Sequence, residues 1–240
     1  MAVRCTQIKR ALSSVVVLPQ VTDSVDNEKY AACSKAVQLL QRTQPSMLDR
    51  WIPIYTEGDG NCMFRAVSHA VFRTQDYHMQ LRVLACLEVG LHRPTYDRSN
   101  QLCHTLLSRD ILLPPTFCDL WAELCTPGQS CSYVALVALS AVLQVRVFSY
   151  FPPLQASFVS PLTLEVVGRE VDTGARSVAV MWSTTGDVPA TGDVNINHIV
   201  SLQKRRTTVS TLQPPPPPTA TTPVSVPGDN SGGKTSRICR

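Results

Sequence analysis

The stretch EGDGNCMFRAVSHAV, residues 57–71, decides the reading of this 240-residue chain. Gly58 and Gly60 bracket Asp59, and Asn61 follows. Cys62 then opens an apolar pattern in which Phe64, Val67 and Val71 share one face of a helix expected to reach about Arg73. Glycine tolerates positive φ and lets backbone approach a bound group closely. A thiol in the first turn of a helix sits among N–H groups that have no intrahelical partner, at the positive end of the helix dipole. Both features favour thiolate, the nucleophilic form of cysteine. The same N–H groups suit an oxyanion developing on an attacked carbonyl. A tight turn before a buried, inert cysteine is the alternative reading of the pattern.

A cysteine nucleophile needs a base. The chain has five histidines. His69 lies two turns along the same helix, too far to reach back. His78 and His92 fall on surface positions of the next helix, and His104 sits where no periodicity is clear. His198 stands in VNINHIVSL, residues 194–202, a strand in which Ile196, His198, Val200 and Leu202 share a face. Asn195 and Asn197 beside it are placed to orient an imidazole. A cysteine early and a histidine late is the order of papain-like thiol enzymes.

The surrounding elements support a layered α/β or α+β domain with a small central sheet flanked by helices. Asn27 is placed to cap a helix through about Arg42, with Tyr30, Cys33, Val37 and Leu40 at helical spacing and Pro45 ending it. WIPIY at 51–55 reads as a short strand entering the glycine loop. Helices are expected at about Tyr77–His92 and Ser132–Leu143, with residues 99–125 helical in parts around Pro114 and Pro115. VRVFSY at 145–150 and SVAVMW at 177–182 read as strands. Helices precede strands, the order of a sheet covered by helices.

The ends differ from the middle. Residues 1–49 are expected to form a helical extension and 50–203 the folded domain. Residues 204–240 read as a disordered tail, with five consecutive prolines and a Thr/Ser/Gly remainder.

Composition narrows the function classes. Hydrophobic residues make up 44% and charged ones 17%, enough to build a core. A net charge of +4 is too weak to argue for nucleic acid by itself. No apolar run approaches the length of a bilayer span. Nine cysteines without a CxxC pair give no zinc spacing, so neither metal nor cofactor is expected, and an intracellular, reducing location is. A monomer is expected.

At these residues a resemblance becomes specific. DGNCMFRAVS is similar to the nucleophile motif Asp-Gly-x-Cys-x-Phe-Arg of the ovarian-tumour (OTU) family of cysteine proteases. HMQLRVLACLEV resembles the helix that follows it there, SYVALVALSAVLQVRVFSYFPP the family's helix-then-strand element, and NINHIVSL its closing histidine strand. The resemblance covers about residues 51–203. It implies a papain-like OTU fold that cleaves peptide or isopeptide bonds after ubiquitin, with ubiquitin or a ubiquitinated protein as partner and no metal. Cys62 would be the nucleophile and His198 the base. Gly58, Asp59, Gly60 and Asn61 would shape the substrate and oxyanion loop. The third member would be Asn197 or Asn195, with Asp59 also a candidate.

The pattern departs from the family in three places. Ile199 stands where an aromatic usually follows the histidine, and Val200 where an acidic residue is common. GQSCSYVA, residues 128–135, replaces the usual Trp-Gly and Glu. Together with SYFPP, VVGRE and VAVMW, these changes resemble the OTU-related module of vertnin-like proteins. That branch implies a nuclear protein- or DNA-interaction role in place of proteolysis.

Overall fold

Five β-branched-rich segments pair into one sheet, and amphipathic helices cover both of its faces. The structure, a computed structural model, describes residues 30–97, 116–154 and 163–205. Helix α1 (Ser34–Thr43) and a 3₁₀ turn (Pro45–Asp49) precede strand β1 (Trp51–Ile54). Helices α2 (Cys62–Phe72), α3 (His78–Leu91), α4 (Arg93–Tyr96), α5 (Phe117–Cys125) and α6 (Val134–Leu143) follow. Strands β2 (Arg146–Tyr150), β3 (Leu164–Val166), β4 (Ser177–Ser183) and β5 (His198–Lys204) complete the sheet.

The sheet order is β1-β5-β4-β2-β3, with β2 and β4 parallel and the other pairs antiparallel. Beyond its ladder with β5, β1 makes only a bridge between Ile54 and Ala32, so it is effectively an edge strand. That placement explains how WIPI carries Pro53, which cannot donate to a ladder. The register of β1 on β5 sets Trp51 opposite Lys204 and Ile54 opposite Ser201. Continuing it brings residues 56 and 57 alongside Ile199 and His198. The glycine loop therefore starts next to the histidine.

Alternation along β4 assigns the two cores. Val178 and Val180 point into one cluster with Phe64, Val67 and Val71 of α2, Leu81 and Val89 of α3, and most of α6. Ala179 and Met181 point into the other, against Ala36, Leu39 and Leu40 of α1. Strands covered on both faces are apolar throughout rather than alternating. Helix α6 is likewise buried on all sides from Val134 to Ala141. Its one internal polar group, Ser140, donates to the Val145 carbonyl at 2.6 Å and accepts from the Gly168 N–H at 2.8 Å. Fully burying each large apolar side chain contributes about 1.5–3 kcal/mol.

Most expected elements sit within a few residues of their expected bounds, and two readings change. The first helix starts at Ser34, because Ala31–Cys33 are extended beside β1: Cys33 N–H donates to the Pro53 carbonyl and Tyr55 N–H to that of Ala31. Asn27, its expected cap, lies outside the described residues. The boundary expected at residue 50 also separates what the fold joins, since α1 supplies one wall of the second core. Lys204, expected to open the disordered tail, instead ends β5; residues 206–240 of that tail and the segment 99–115, with Cys103, His104, Pro114 and Pro115, lie outside the described residues. Among the described residues, no helix is long and apolar enough to cross a membrane.

Candidate active site

Cys62 takes the first position of α2, after an N-cap, Asn61, whose side chain does not cap. The loop is instead closed from within. Asp59 Oδ1 accepts from Asn61 N–H at 2.9 Å, and Oδ2 accepts from Asn61 Nδ2 at 3.1 Å. Arg65, one turn into the helix, donates to the same Oδ2 from Nε and from the terminal nitrogen, at 3.1 and 2.7 Å. It also pairs with Glu57 at 3.1 Å. Burial alone would raise the Asp59 carboxyl, but the hydrogen bonds from Arg65 and Asn61 outweigh it and hold it well below the usual carboxylate range. Asp59 is thus an ionised strut of the loop at neutral pH.

Beneath the loop lies a buried guanidinium. Arg82 of α3 is 2% exposed. It donates to Asn61 Oδ1 at 2.7 Å and to the carbonyls of Leu124, Glu123 and Gln129 at 3.0, 2.7 and 2.6 Å. Cys131 Sγ lies 3.2 Å from it, and the ring of Phe64 is 4.9 Å away. Asn61 Oδ1 also accepts from the Gly128 N–H at 3.3 Å. Gly60 has φ +78°, and a Cβ there would lie 1.7 Å from the Gly128 carbonyl oxygen. Loop 58–61 is therefore pressed flat onto the turn that follows α5.

His198 opens β5 and is buried. Its Nε2 lies 3.0 Å from the Thr56 carbonyl oxygen. A carbonyl can only accept, so Nε2 carries the proton and Nδ1 is left as the basic nitrogen. Gly58 flanks that edge of the ring: a Cβ there would lie 3.8 Å from Cε1 and 3.9 Å from Nδ1. Burial lowers the imidazole's affinity for a proton, partly offset by the Thr56 bond and the Asp59 charge.

The thiol does not behave as the helix-dipole argument expects. Burial pushes Cys62 up, more than the N–H groups of Ile199 and Met63 pull it down, and the Asp59 charge adds to the rise. Both shifts favour the uncharged forms, a thiol at Cys62 and a neutral imidazole at His198. The Ile199 N–H faces the sulfur, so the residue after His198 borders Cys62. Among the hydrogen bonds of the described residues none joins Cys62 Sγ to His198, whose ring bond goes to Thr56.

The structure brings together Cys62, His198, Gly58, Asp59, Gly60 and Asn61. The two asparagines expected to orient the imidazole are both exposed, and the orienting bond is not theirs. Asn197 Oδ1 accepts from Thr185 N–H at 3.1 Å and lies 3.3 Å from its hydroxyl, so it braces the turn after β4. Thr56 and Arg82 support the site without having been singled out, and Gly128 and Gln129, noted above only as part of a departure from the family pattern, form the turn beneath the loop. A lone arginine inside the apolar run LRVLACL was the signal for Arg82; a backbone acceptor such as Thr56 leaves none. His69 donates to or accepts from Ser201 Oγ at 2.7 Å inside the core, where burial lowers its pKa to about 4. Among the described residues no group of three or more His, Cys, Asp or Glu is placed to hold a metal.

A cysteine heading a helix after a Gly-Asp-Gly loop, with a histidine on a neighbouring strand of a five-stranded sheet, is the arrangement of an OTU fold. The chain belongs to the family described as "Vertnin, OTU domain", whose model matches residues 53–183, more than half of the chain. The match contains Cys62 and ends at Ser183, before β5. Similar solved structures include the OTU domain of OTUD1, at 16% identity and TM-score 0.48, covering 71% of this chain and 95% of that one. The viral OTU domain protease from Taggert virus is 16% identical with TM-score 0.43, covering 66% and 83%. The Hazara virus OTU bound to ubiquitin is 11% identical with TM-score 0.41, covering 78% and 97%. No curated protein matches the chain.

Proposed function

We propose that this chain is a cysteine-type hydrolase that cleaves peptide or isopeptide bonds after the C-terminus of ubiquitin, with Cys62 as nucleophile and His198 as base. The observation that carries the reading is the Nε2–Thr56 hydrogen bond, which leaves Nδ1 as the basic nitrogen on a strand whose next residue, Ile199, turns its N–H to the thiol heading α2. When substrate docks, the Cys62 proton passes to Nδ1 and sulfur attacks the carbonyl carbon. The N–H groups at the start of α2 receive the oxyanion, each worth about 3 kcal/mol of barrier. The imidazolium then protonates the leaving amine as the C–N bond breaks. Water, deprotonated by His198, releases the thioester. Catalytic hydrogen bonds commonly tighten only in the substrate complex, which reconciles the unpaired resting thiol with this chemistry. The free cysteines among the described residues fit an intracellular, reducing setting.

A second reading is a non-hydrolytic interaction module of the vertnin type, binding ubiquitin, another protein or DNA. The buried, neutral Cys62 without a hydrogen bond to His198 favours it. A ubiquitin probe bearing a C-terminal electrophile separates the two. A covalent adduct on wild type that disappears in Cys62→Ala supports the hydrolase. Folded wild type that binds ubiquitin without forming an adduct supports the module.

A further inference from the structure

Helices α3 and α5 meet along a seam fixed at both ends. At one end Gly90 has no side chain because the Trp121 ring occupies that space: a Cβ there would lie 2.0 Å from the indole. At the other, Arg82 grips the Glu123 and Leu124 carbonyls. Residues 82, 86 and 90 are one helical turn apart and share a face, as do 121 and 125. The seam therefore leaves Cys86 facing Cys125, and their sulfurs lie 2.7 Å apart. The two sulfurs are in hydrogen-bonding contact and no disulfide joins them. Cys125 is exposed and Cys86 half-buried.

We propose that Cys86 and Cys125 are an oxidisable dithiol, a modification site closed to a disulfide by hydrogen peroxide. The exposed Cys125 sulfur attacks one peroxide oxygen; the O–O bond breaks, giving a sulfenic acid and water. The Cys86 sulfur then attacks the sulfenic sulfur; the S–O bond breaks, and hydroxide leaves as water with the Cys86 proton. Two thiols lose two electrons, and one peroxide becomes two waters. Packing has already set the partners side by side, so closure needs little backbone movement.

The bond would tie α3 to the end of α5, from which the chain enters the turn at Gly128 beneath Gly60 and Asn61. It adds a covalent fastening to the contact that Arg82 makes non-covalently one turn away. The oxidised chain is a locked form of the platform that carries Cys62. This inference goes beyond the hydrolase reading, and its test does not involve ubiquitin.

The test uses the full chain, reduced and then treated with stoichiometric hydrogen peroxide. Remaining thiols are alkylated and the peptides mapped without reduction. The expected result is a Cys86–Cys125 cross-linked peptide, with Cys62 still alkylated and a melting temperature raised by about 5–10 °C, reversible by dithiothreitol. Cys86→Ser and Cys125→Ser should fold, judged by circular dichroism, and each should lose the cross-link and the rise. Alkylation of both cysteines after peroxide would overturn the proposal. So would cross-linking of either to Cys118, or a melting rise that survives in the serine variants.

Discussion

His198 Nε2 donates to the backbone carbonyl of Thr56 at 3.0 Å. The group that orients the imidazole is therefore main chain from the strand-to-loop junction. No side-chain substitution removes it directly, and the asparagines beside the histidine are engaged or exposed elsewhere.

Asn197→Ala should accordingly leave the rate of ubiquitin-probe labelling within about threefold of wild type, since Asn197 braces Thr185. On the proposed hydrolase mechanism His198→Ala removes the proton acceptor, and labelling should fall by about 10²–10⁴-fold. Equal losses in the two variants would return the orienting role to Asn197.

The neutral thiol makes a pH prediction with a definite sign. A thiol raised above its ordinary value ionises only in alkaline solution. Alkylation of Cys62 by iodoacetamide, followed by mass spectrometry, should rise steadily, up to tenfold per unit, from pH 6 to about pH 9. A preformed thiolate–imidazolium pair would instead give a rate already flat near neutrality. A plateau starting below pH 6 would refute the neutral-pair description.

Asp59 links the loop to acid stability. Its folded-state pKa is depressed, so the stability it contributes is complete above the unfolded aspartate value near 3.9 and is lost as pH falls toward the folded value. Asp59→Asn should destabilise the chain by about 1–2 kcal/mol at pH 7, by loss of charge-assisted hydrogen bonds. Urea melts of the two proteins should converge as pH drops below about 4. A constant gap down to acid pH would show that the charge is not what matters.

The flattened loop can be tested by adding one methyl group. Gly60→Ala forces a side chain into positive φ and against the Gly128 carbonyl, so a loss of at least about 3 kcal/mol is expected. Gly192 also has positive φ, +89°, but nothing lies within 4 Å of an added Cβ. Gly192→Ala should cost only the backbone term, about 1 kcal/mol. Comparable melting losses in both would mean that the Gly60–Gly128 contact carries no weight.

Arg82 is the least replaceable cation in the site. Arg82→Met leaves three carbonyls without the guanidinium donor and Asn61 Oδ1 with only the longer bond from the Gly128 N–H, at an expected cost of about 3–5 kcal/mol by thermal or chemical denaturation. Arg82→Lys should recover little, because a point charge cannot reach acceptors spread around a planar fork. Near-full recovery by lysine would show that charge, not geometry, is what the loop needs.

The sequence alone determined what depends on neighbours along the chain. Apolar spacing placed helices at about Cys62–Arg73, Tyr77–His92 and Ser132–Leu143, and β-branched runs placed strands at 145–150 and 177–182, each within two residues of the element the fold contains. Two glycines before a helix-heading cysteine, and one late histidine on a strand, were enough to name the pair of residues on which the chemistry would rest.

Tertiary structure decided everything that depends on which segments meet. Ala31–Cys33 had a helical pattern but are extended, because β1 offered them hydrogen bonds that a local helix would have forgone. The helix dipole argued for a thiolate at Cys62, but depth of burial is a property of the packed sheet and outweighed it. Thr56 orients His198 through a carbonyl that every residue type possesses, so no side chain could announce it. Arg82 sits beneath Asn61 only because α3 and α5 close on each other. Local periodicity is written in the chain; desolvation and the pairing of backbone groups are set by the fold.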